Sequence, residues 1–503
     1  MSLKKNIIAN YVSQLYVTAV GILILPFYIK HLGAEAYGLV GFFVLLQAWF
    51  NLLDLGLTPT ISRETARFKA GVMSALSFRQ IYRALSLIFL FIAVVGGISL
   101  FLLAEILANN WLHFDSLSLF SVVIAIKIMA AIVALRWLCG LYRGVITGSE
   151  SLIWLSYFNI AVATFRTVGV FPIMFKFGFT ISVFFIYQLF IALLESLILF
   201  YKSRILLPKL SRFSEPIGWS VKPLMPVLKF SMTIAFTASI WVLVTQTDKL
   251  ILSSILPLAE YGYFTLAVLV AGGIMIISGP ISNALLPRMT SLFAQEKHLE
   301  MLAIYRNATQ FVAVIAGSCA ITMFFCAENL LYAWTGDLHL SHVVAPILRL
   351  YVIGNGFLVI AAFPYYLQYA KGNLKYHLYG NLILVGILVP TIVLAAKYYG
   401  AIGAGYTWMT INFLFLIFWV AFIHYKIEPG LHLKWLFNDV FILIFPAACI
   451  GYFFNSLNFT YSTRLDSFLI LLVIGIPVLL TSLLCSPLIR KYINKKYLTK
   501  VVV

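Results

Sequence analysis

Lys127, Arg166, Glu195 and the adjacent pair Asp248 and Lys249 stand inside long apolar runs of this 503-residue chain. An ionised side chain in such a run is costly unless it has a partner or water. Lys and Arg at that depth can hold an anionic group, Arg through forked hydrogen bonds and Lys as a compact charge. A carboxylate beside them can pair with a cation or carry a proton; burial raises its pKa and a nearby cation lowers it. Polar companions recur at helical spacing. Asn159 precedes Arg166 by seven residues and shares a face with it, and Gln188 does the same for Glu195. Arg136 lies nine residues from Lys127, on the opposite face, and seven from Arg143, which assigns it to the polar interface by snorkelling.

The elements that must carry these residues follow from composition. The chain is 62% hydrophobic and 10% charged, with a mean hydropathy of +1.00, which marks a polytopic membrane protein. Fourteen runs are long enough to cross as helices: 7–29, 38–58, 83–108, 117–140, 151–175, 179–201, 228–256, 263–287, 307–332, 344–369, 377–396, 401–424, 435–455 and 467–487. Barrel strands would give segments of about ten residues with alternating polarity. The five cysteines all fall inside these runs, so neither a disulfide framework nor a metal site is expected. No GxxxxGK[ST] signature of a nucleotide-binding loop occurs, and no cofactor is expected.

The formal charge of +18 does not point to nucleic acid, because its distribution is topological. Basic residues gather in the N-tail, 59–83, Arg143, 202–229, 288–306, Lys371 and Lys375, Lys426 and Lys434, and the C-tail. The alternate loops hold only Lys30, Lys176, Lys397 and Arg464. This positive-inside bias expects both termini in the cytoplasm, with attraction to anionic membrane lipids as a by-product. The basic stretch 202–227 is expected to be a cytoplasmic linker between an N-terminal lobe, 1–201, and a C-terminal lobe, 228–424, followed by two added helices and a basic tail, 425–503.

The lobes carry a weak internal repeat. LGAEAYGLVGFFVLL (32–46) parallels LPLAEYGYFTLAVLV (256–270), with Tyr37-Gly38 and Tyr261-Gly262 each leading a span that ends near Arg63 or Arg288. An even number of spans separates the copies, so the repeat is parallel, about an axis along the membrane normal. The lead helices match as well: Asn10, Gln14, Thr18 and Gly21 on the first, Thr237, Trp241, Thr245 and Asp248 on the seventh, each forming one stripe. Such stripes either line a cavity between two six-helix lobes or make interhelical hydrogen bonds.

ILPFYIKHLGAEAYG, LLDLGLTPTISRETARF, TDKLILSSILPLAEYGYF and ALLPRMTSLF resemble the polysaccharide transporters of the multidrug/oligosaccharidyl-lipid/polysaccharide exporter superfamily, O-antigen (Wzx-type) flippases above all. The resemblance implies transfer of an undecaprenyl-diphosphate-linked oligosaccharide from the cytoplasmic to the periplasmic leaflet of a bacterial inner membrane, coupled to a proton or sodium gradient. It also implies a polysaccharide polymerase and a chain-length regulator as partners. The expected substrate-binding residues are then Lys127, about 15 Å from the outer end of its span, with Arg166, Asn159, Asn10 and Gln14. Glu195 is a coupling candidate or the partner of Lys127 or Arg166. Asp54, Asp248, Lys249, Arg63 and Arg288 are gate candidates, with helix-terminal or topological roles as the plainer alternative. Asp248 and Lys249 lie near the outer mouth and diverge by about 100°, which expects two separate groups. The Gly-rich 271–280 is expected to flex. A multidrug or lipid II exporter is the near alternative. A membrane-embedded polymerase or ligase is the distant one, with His113, His339 and His342 as its nearest candidates in short loops.

Overall fold

Lipid offers no partner to a backbone N–H or C=O, so each apolar run must satisfy its own backbone. In the computed structural model, which describes residues 3–54, 56–208, 225–276 and 278–487, every regular element is accordingly a helix. Side-chain caps fix several starts: Ser74, Ser118 and Thr180 accept from the backbone N–H groups of Ser77, Ser121 and Val183, and Thr463 with Asp466 forms a reciprocal capping box.

Among the described residues, twelve helical segments are long and apolar enough to cross a membrane, against fourteen expected. The difference lies at two places. Lys375–Ile427 counts as one segment of 53 residues, although Gly400 (φ 57°, ψ −142°) breaks the helical path inside it. The seventh expected span is the helix Met225–Ile255, whose first side chains lie outside the description. Residues 209–224 of the expected linker lie outside it too. The Gly-rich stretch is helical through Ile276 and again from Ser278, with residue 277 outside.

Contacts divide the chain into two units, Met1–Gly262 and Tyr263–Val503. The first holds α1 (Leu3–Leu23), α2 (Ala34–Phe50), α3 (Leu57–Lys69), α4 (Ala75–Leu102), α5 (Leu119–Gly148), α6 (Leu152–Thr167), α7 (Ile181–Leu206) and α8 (Met225–Ile255). α5 is its axis, packed on α3, α4 and α7. Gly144 and Gly148 let α3 approach, since a Cβ at Gly148 would lie 2.1 Å from the Ser62 carbonyl oxygen; small residues bring membrane helices together this way. Phe78, Phe89, Trp137 and Leu141 fill the adjacent core. Asp54 closes the start of α3, accepting from the Thr58 N–H at 3.1 Å and the Thr58 hydroxyl at 2.6 Å.

The repeat has a counterpart in space. A Cβ on Gly38 would lie 2.0 Å from the Leu258 carbonyl oxygen, and one on Gly262 would lie 2.9 Å from that of Ala34. Residue 258 stands to 34 as 262 stands to 38 in the alignment of the copies, so the two local contacts mirror each other. The loop 112–117 straps the same end. Glu35 accepts from the backbone N–H groups of Asp115, Ser116 and Leu117, and the Leu258 N–H donates to the His113 carbonyl at 2.7 Å.

The second unit is built on α11 (His298–Phe325), which packs on α12 (Leu338–Ala361), α15 (Ile442–Ser456) and α16 (Arg464–Cys485), with α13 (Lys375–Leu414) beside α12; α10 (Ser278–Ala294), α14 (Val420–Ile427) and the part of α9 (Leu258–Ile276) from Tyr263 onward complete it.

Candidate functional site

Three consecutive helices of the first unit each carry two polar residues seven positions apart: Arg136 and Arg143 on α5, Asn159 and Arg166 on α6, Gln188 and Glu195 on α7. Seven residues are about two turns, or roughly 10.5 Å, so each pair presents two polar groups on one face. With α6 running opposite to α5 and α7, packing brings the six into two rungs.

The rung nearer the basic loops joins Arg143, Asn159 and Glu195. Arg143 donates from Nη1 to Asn159 Oδ1 at 2.7 Å and from Nη2 to Glu195 Oε1 at 2.7 Å. The other rung centres on Arg136, whose Nη1 donates to Gln47 Oε1 of α2 at 2.9 Å and whose Nη2 donates to Gln188 Oε1 at 3.3 Å. Gln188 Nε2 in turn donates to the Arg166 carbonyl at 2.9 Å, and the Arg136 guanidinium lies over the Phe43 ring. Between the rungs, Arg136 Nε stands 4.0 Å from Glu195 Oε2. The side chains of Arg136 and Glu195 are only 12% and 7% exposed, while Arg143 is 30% exposed. Arg166 is within electrostatic reach of Arg136, so a third guanidinium stands near the two that share Glu195. The column carries excess positive charge.

Several expectations change. Arg136 does not snorkel to an interface; it is buried, because Gln47, Gln188 and Glu195 replace water around it. Glu195 takes Arg143 and Arg136 as partners rather than Lys127 or Arg166, because α5 turns its 136/143 face toward α7. Lys127 reaches away from the column: its Nζ is 3.3 Å from Glu105 Oε1 and lies over the Phe101 ring, with Glu105 68% exposed. Asp248 and Lys249 do not separate. Lys249 Nζ curls back to the Thr245 carbonyl at 2.5 Å and to Asp248 Oδ1 at 3.3 Å, a reach its flexible stem permits although the Cα directions diverge.

The remaining candidates are dispersed. Asn10 and Gln14 are exposed on α1, whose other face bonds α6 through Ser13 to the Ser156 carbonyl and Tyr16 to Thr164. Thr237 lies outside the described side chains. Asp54 caps α3; Arg63 is exposed, 3.6 Å from the buried Glu64; Arg288 is exposed on α10. Gln47 and Arg143 were missed as site residues, although the shared seven-residue spacing on three neighbouring helices was a signal for Arg143. Among the described residues no cluster has the make-up of a metal site.

Apolar helices long enough to span a bilayer, with their charges gathered into a mainly cationic column, define a polytopic membrane protein. Residues 3–293 match the family model described as polysaccharide biosynthesis protein, and the chain belongs to that family. No curated protein matches the sequence. Among solved structures, the chain is similar to the lipid II flippase MurJ in an inward closed conformation, at 15% identity and a TM-score of 0.73 over 95% of this chain and 97% of that one. It is also similar to an inward-facing multidrug resistance MATE family transporter (13% identity, TM-score 0.64, 83% of this chain and 96% of that one). A third likeness is to a transporter from Pyrococcus furiosus (14%, 0.57, 84% and 96%). All three share the fold of the multidrug/oligosaccharidyl-lipid/polysaccharide exporter superfamily, and the chain has that fold.

Proposed function

We propose that the protein flips an undecaprenyl-diphosphate-linked oligosaccharide, the repeat unit of an O-antigen or similar polysaccharide, from the cytoplasmic to the periplasmic leaflet of a bacterial inner membrane. The observation that carries the reading is the excess of guanidinium over carboxylate in the α5–α7 column: Arg136 and Arg143 meet the single carboxylate of Glu195, with Arg166 near Arg136. A diphosphate needs cations in a wet interior, whereas a sugar needs donors and acceptors of the kind Asn159, Gln47 and Gln188 supply. Membership of a polysaccharide biosynthesis family agrees with a glycan cargo.

The lobes 1–201 and 228–424 would alternate access, with 425–503 as an addition, and both termini would lie in the cytoplasm as the basic loops expect. Asn10 and Gln14, exposed on α1, fit a lining role. Glu195 remains the coupling candidate for a proton or sodium gradient, and a polymerase and chain-length regulator are the expected neighbours in the assembly line. Lipid II export is the second reading, favoured by the likeness to MurJ over nearly the whole chain.

Deletion of the gene tests both readings. The first expects lipid-linked repeat units to accumulate in the cytoplasmic leaflet while lipid II turnover is normal. Normal surface glycan in the deletion strain removes it.

A further inference from the structure

Among the described residues Trp241 is the one exposed tryptophan, at 48%. Tryptophans of a membrane protein gather at the two interfaces, yet Trp241 stands fourteen residues inside the Ile255 end of α8, about 21 Å along the axis. It also stands on a face that is closed elsewhere. Asp248 and Leu252 follow it by seven and eleven residues, within about 20° of its direction, and they are 1% and 0% exposed where α8 packs on α2. α2 changes in the same sense: Ala36, Tyr37, Gly38 and Leu39 are buried, and from 46 to 50 every residue is partly open. A face that is sealed on protein at one end and open two turns away borders a cleft rather than the lipid side.

The residues beside the cleft select its occupant. Thr245 shares the stripe one turn from Trp241 and donates to the Trp241 carbonyl at 2.9 Å. Lys249 and Asp248 hold each other at 3.3 Å, so the stripe is polar but carries no net charge. A polyprenyl tail would strip water from those polar groups, and a diphosphate would find Lys249 already paired. A pyranose matches both features: its C–H face lies flat on an aromatic ring, and its hydroxyls meet polar neighbours, the indole N–H among them as donor. We infer that Trp241 is a stacking platform for a sugar ring of the transported lipid, and that it reads the glycan while the α5–α7 column takes the diphosphate. This rests on the flippase reading above.

The test uses full-length protein in lipid nanodiscs and two probes: sugar-free undecaprenyl diphosphate, and the undecaprenyl-diphosphate-linked repeat unit isolated from the deletion strain. Wild-type protein is expected to bind the sugar-bearing carrier more tightly. Trp241→Ala should lower the affinity ratio between the two carriers about three- to tenfold and leave the affinity for the sugar-free carrier as in wild type. Trp241→Phe, which keeps a flat ring, should recover most of the ratio. Trp241→Leu, apolar but not flat, should not, and it decides the matter if Trp241→Ala does not fold by its melting profile. An unchanged ratio in Trp241→Ala overturns the platform, and so does equal weakening of both carriers, which assigns the residue to the tail or the diphosphate. A Leu variant that restores the ratio as well as Phe reduces the contact to apolar burial and overturns it too. Equal wild-type affinity for the two carriers overturns the platform and leaves the flippase reading standing; binding of neither removes that reading, and the platform with it.

Discussion

Each unit of the protein sets an arginine against a buried carboxylate, and the two sites are built differently. In the second unit Asp439 is fully buried and receives Arg306 Nε at 2.5 Å, Arg306 Nη2 at 3.0 Å and Gln310 Nε2 at 2.7 Å. Ser486 then donates to Gln310 Oε1 at 3.2 Å. One cation meets one anion, and both carboxylate oxygens are occupied. In the first unit Glu195 is shared by Arg143 and Arg136, and a donor and an acceptor stay open between them. A closed pair ties helices together: Arg306 and Gln310 of α11 hold the segment before α15, and Ser486 follows the end of α16. An open one keeps capacity for something else. The lesson is that burial of charge does not by itself mark function.

The largest effect is expected where the closed site is broken. Asp439→Ala leaves Arg306 and Gln310 without their acceptor and should cost about 3–5 kcal/mol, read as a lower melting temperature and reduced yield of purified protein. Next comes the open site: Arg143→Gln should lower glycan transport in a complementation assay about tenfold or more, the scale of a lost charge-assisted hydrogen bond, with yield close to wild type. Should Arg143→Gln unfold the protein as Asp439→Ala does, the contrast between the two sites disappears.

A steric probe comes third. Gly38→Ala puts a methyl group where the Leu258 carbonyl stands, and overpacking of this kind costs about 1–3 kcal/mol; Gly262→Ala, with its nearest atom at 2.9 Å, should cost less. Equal melting temperatures for the two would show that the reciprocal contact is not tight in solution. Lys127→Ala should do least, less than about 1 kcal/mol, because its pair with Glu105 is largely exposed. A transport loss as large as that of Arg143→Gln would return Lys127 to the binding site.

The sequence alone determined the class of the protein, because a run of about 20 apolar residues has only the helix as a stable form in lipid. Loop charge gave an expected orientation, and Tyr37-Gly38 with Tyr261-Gly262 already carried the repeat whose reciprocal contact the structure displays. The seven-residue spacings of Arg136 with Arg143, Asn159 with Arg166 and Gln188 with Glu195 were also legible, since they depend only on helix period. Which faces meet was decided by tertiary packing. The rotation of α5 on α7 gave Glu195 to Arg143 and Arg136, sent Lys127 to Glu105, and brought Gln47 from α2 into the column. A helix period fixes which residues share a face but leaves the azimuth of that face undetermined, and the azimuth is set by how glycines and large side chains such as Gly144, Gly148, Phe89 and Trp137 let neighbouring helices seat.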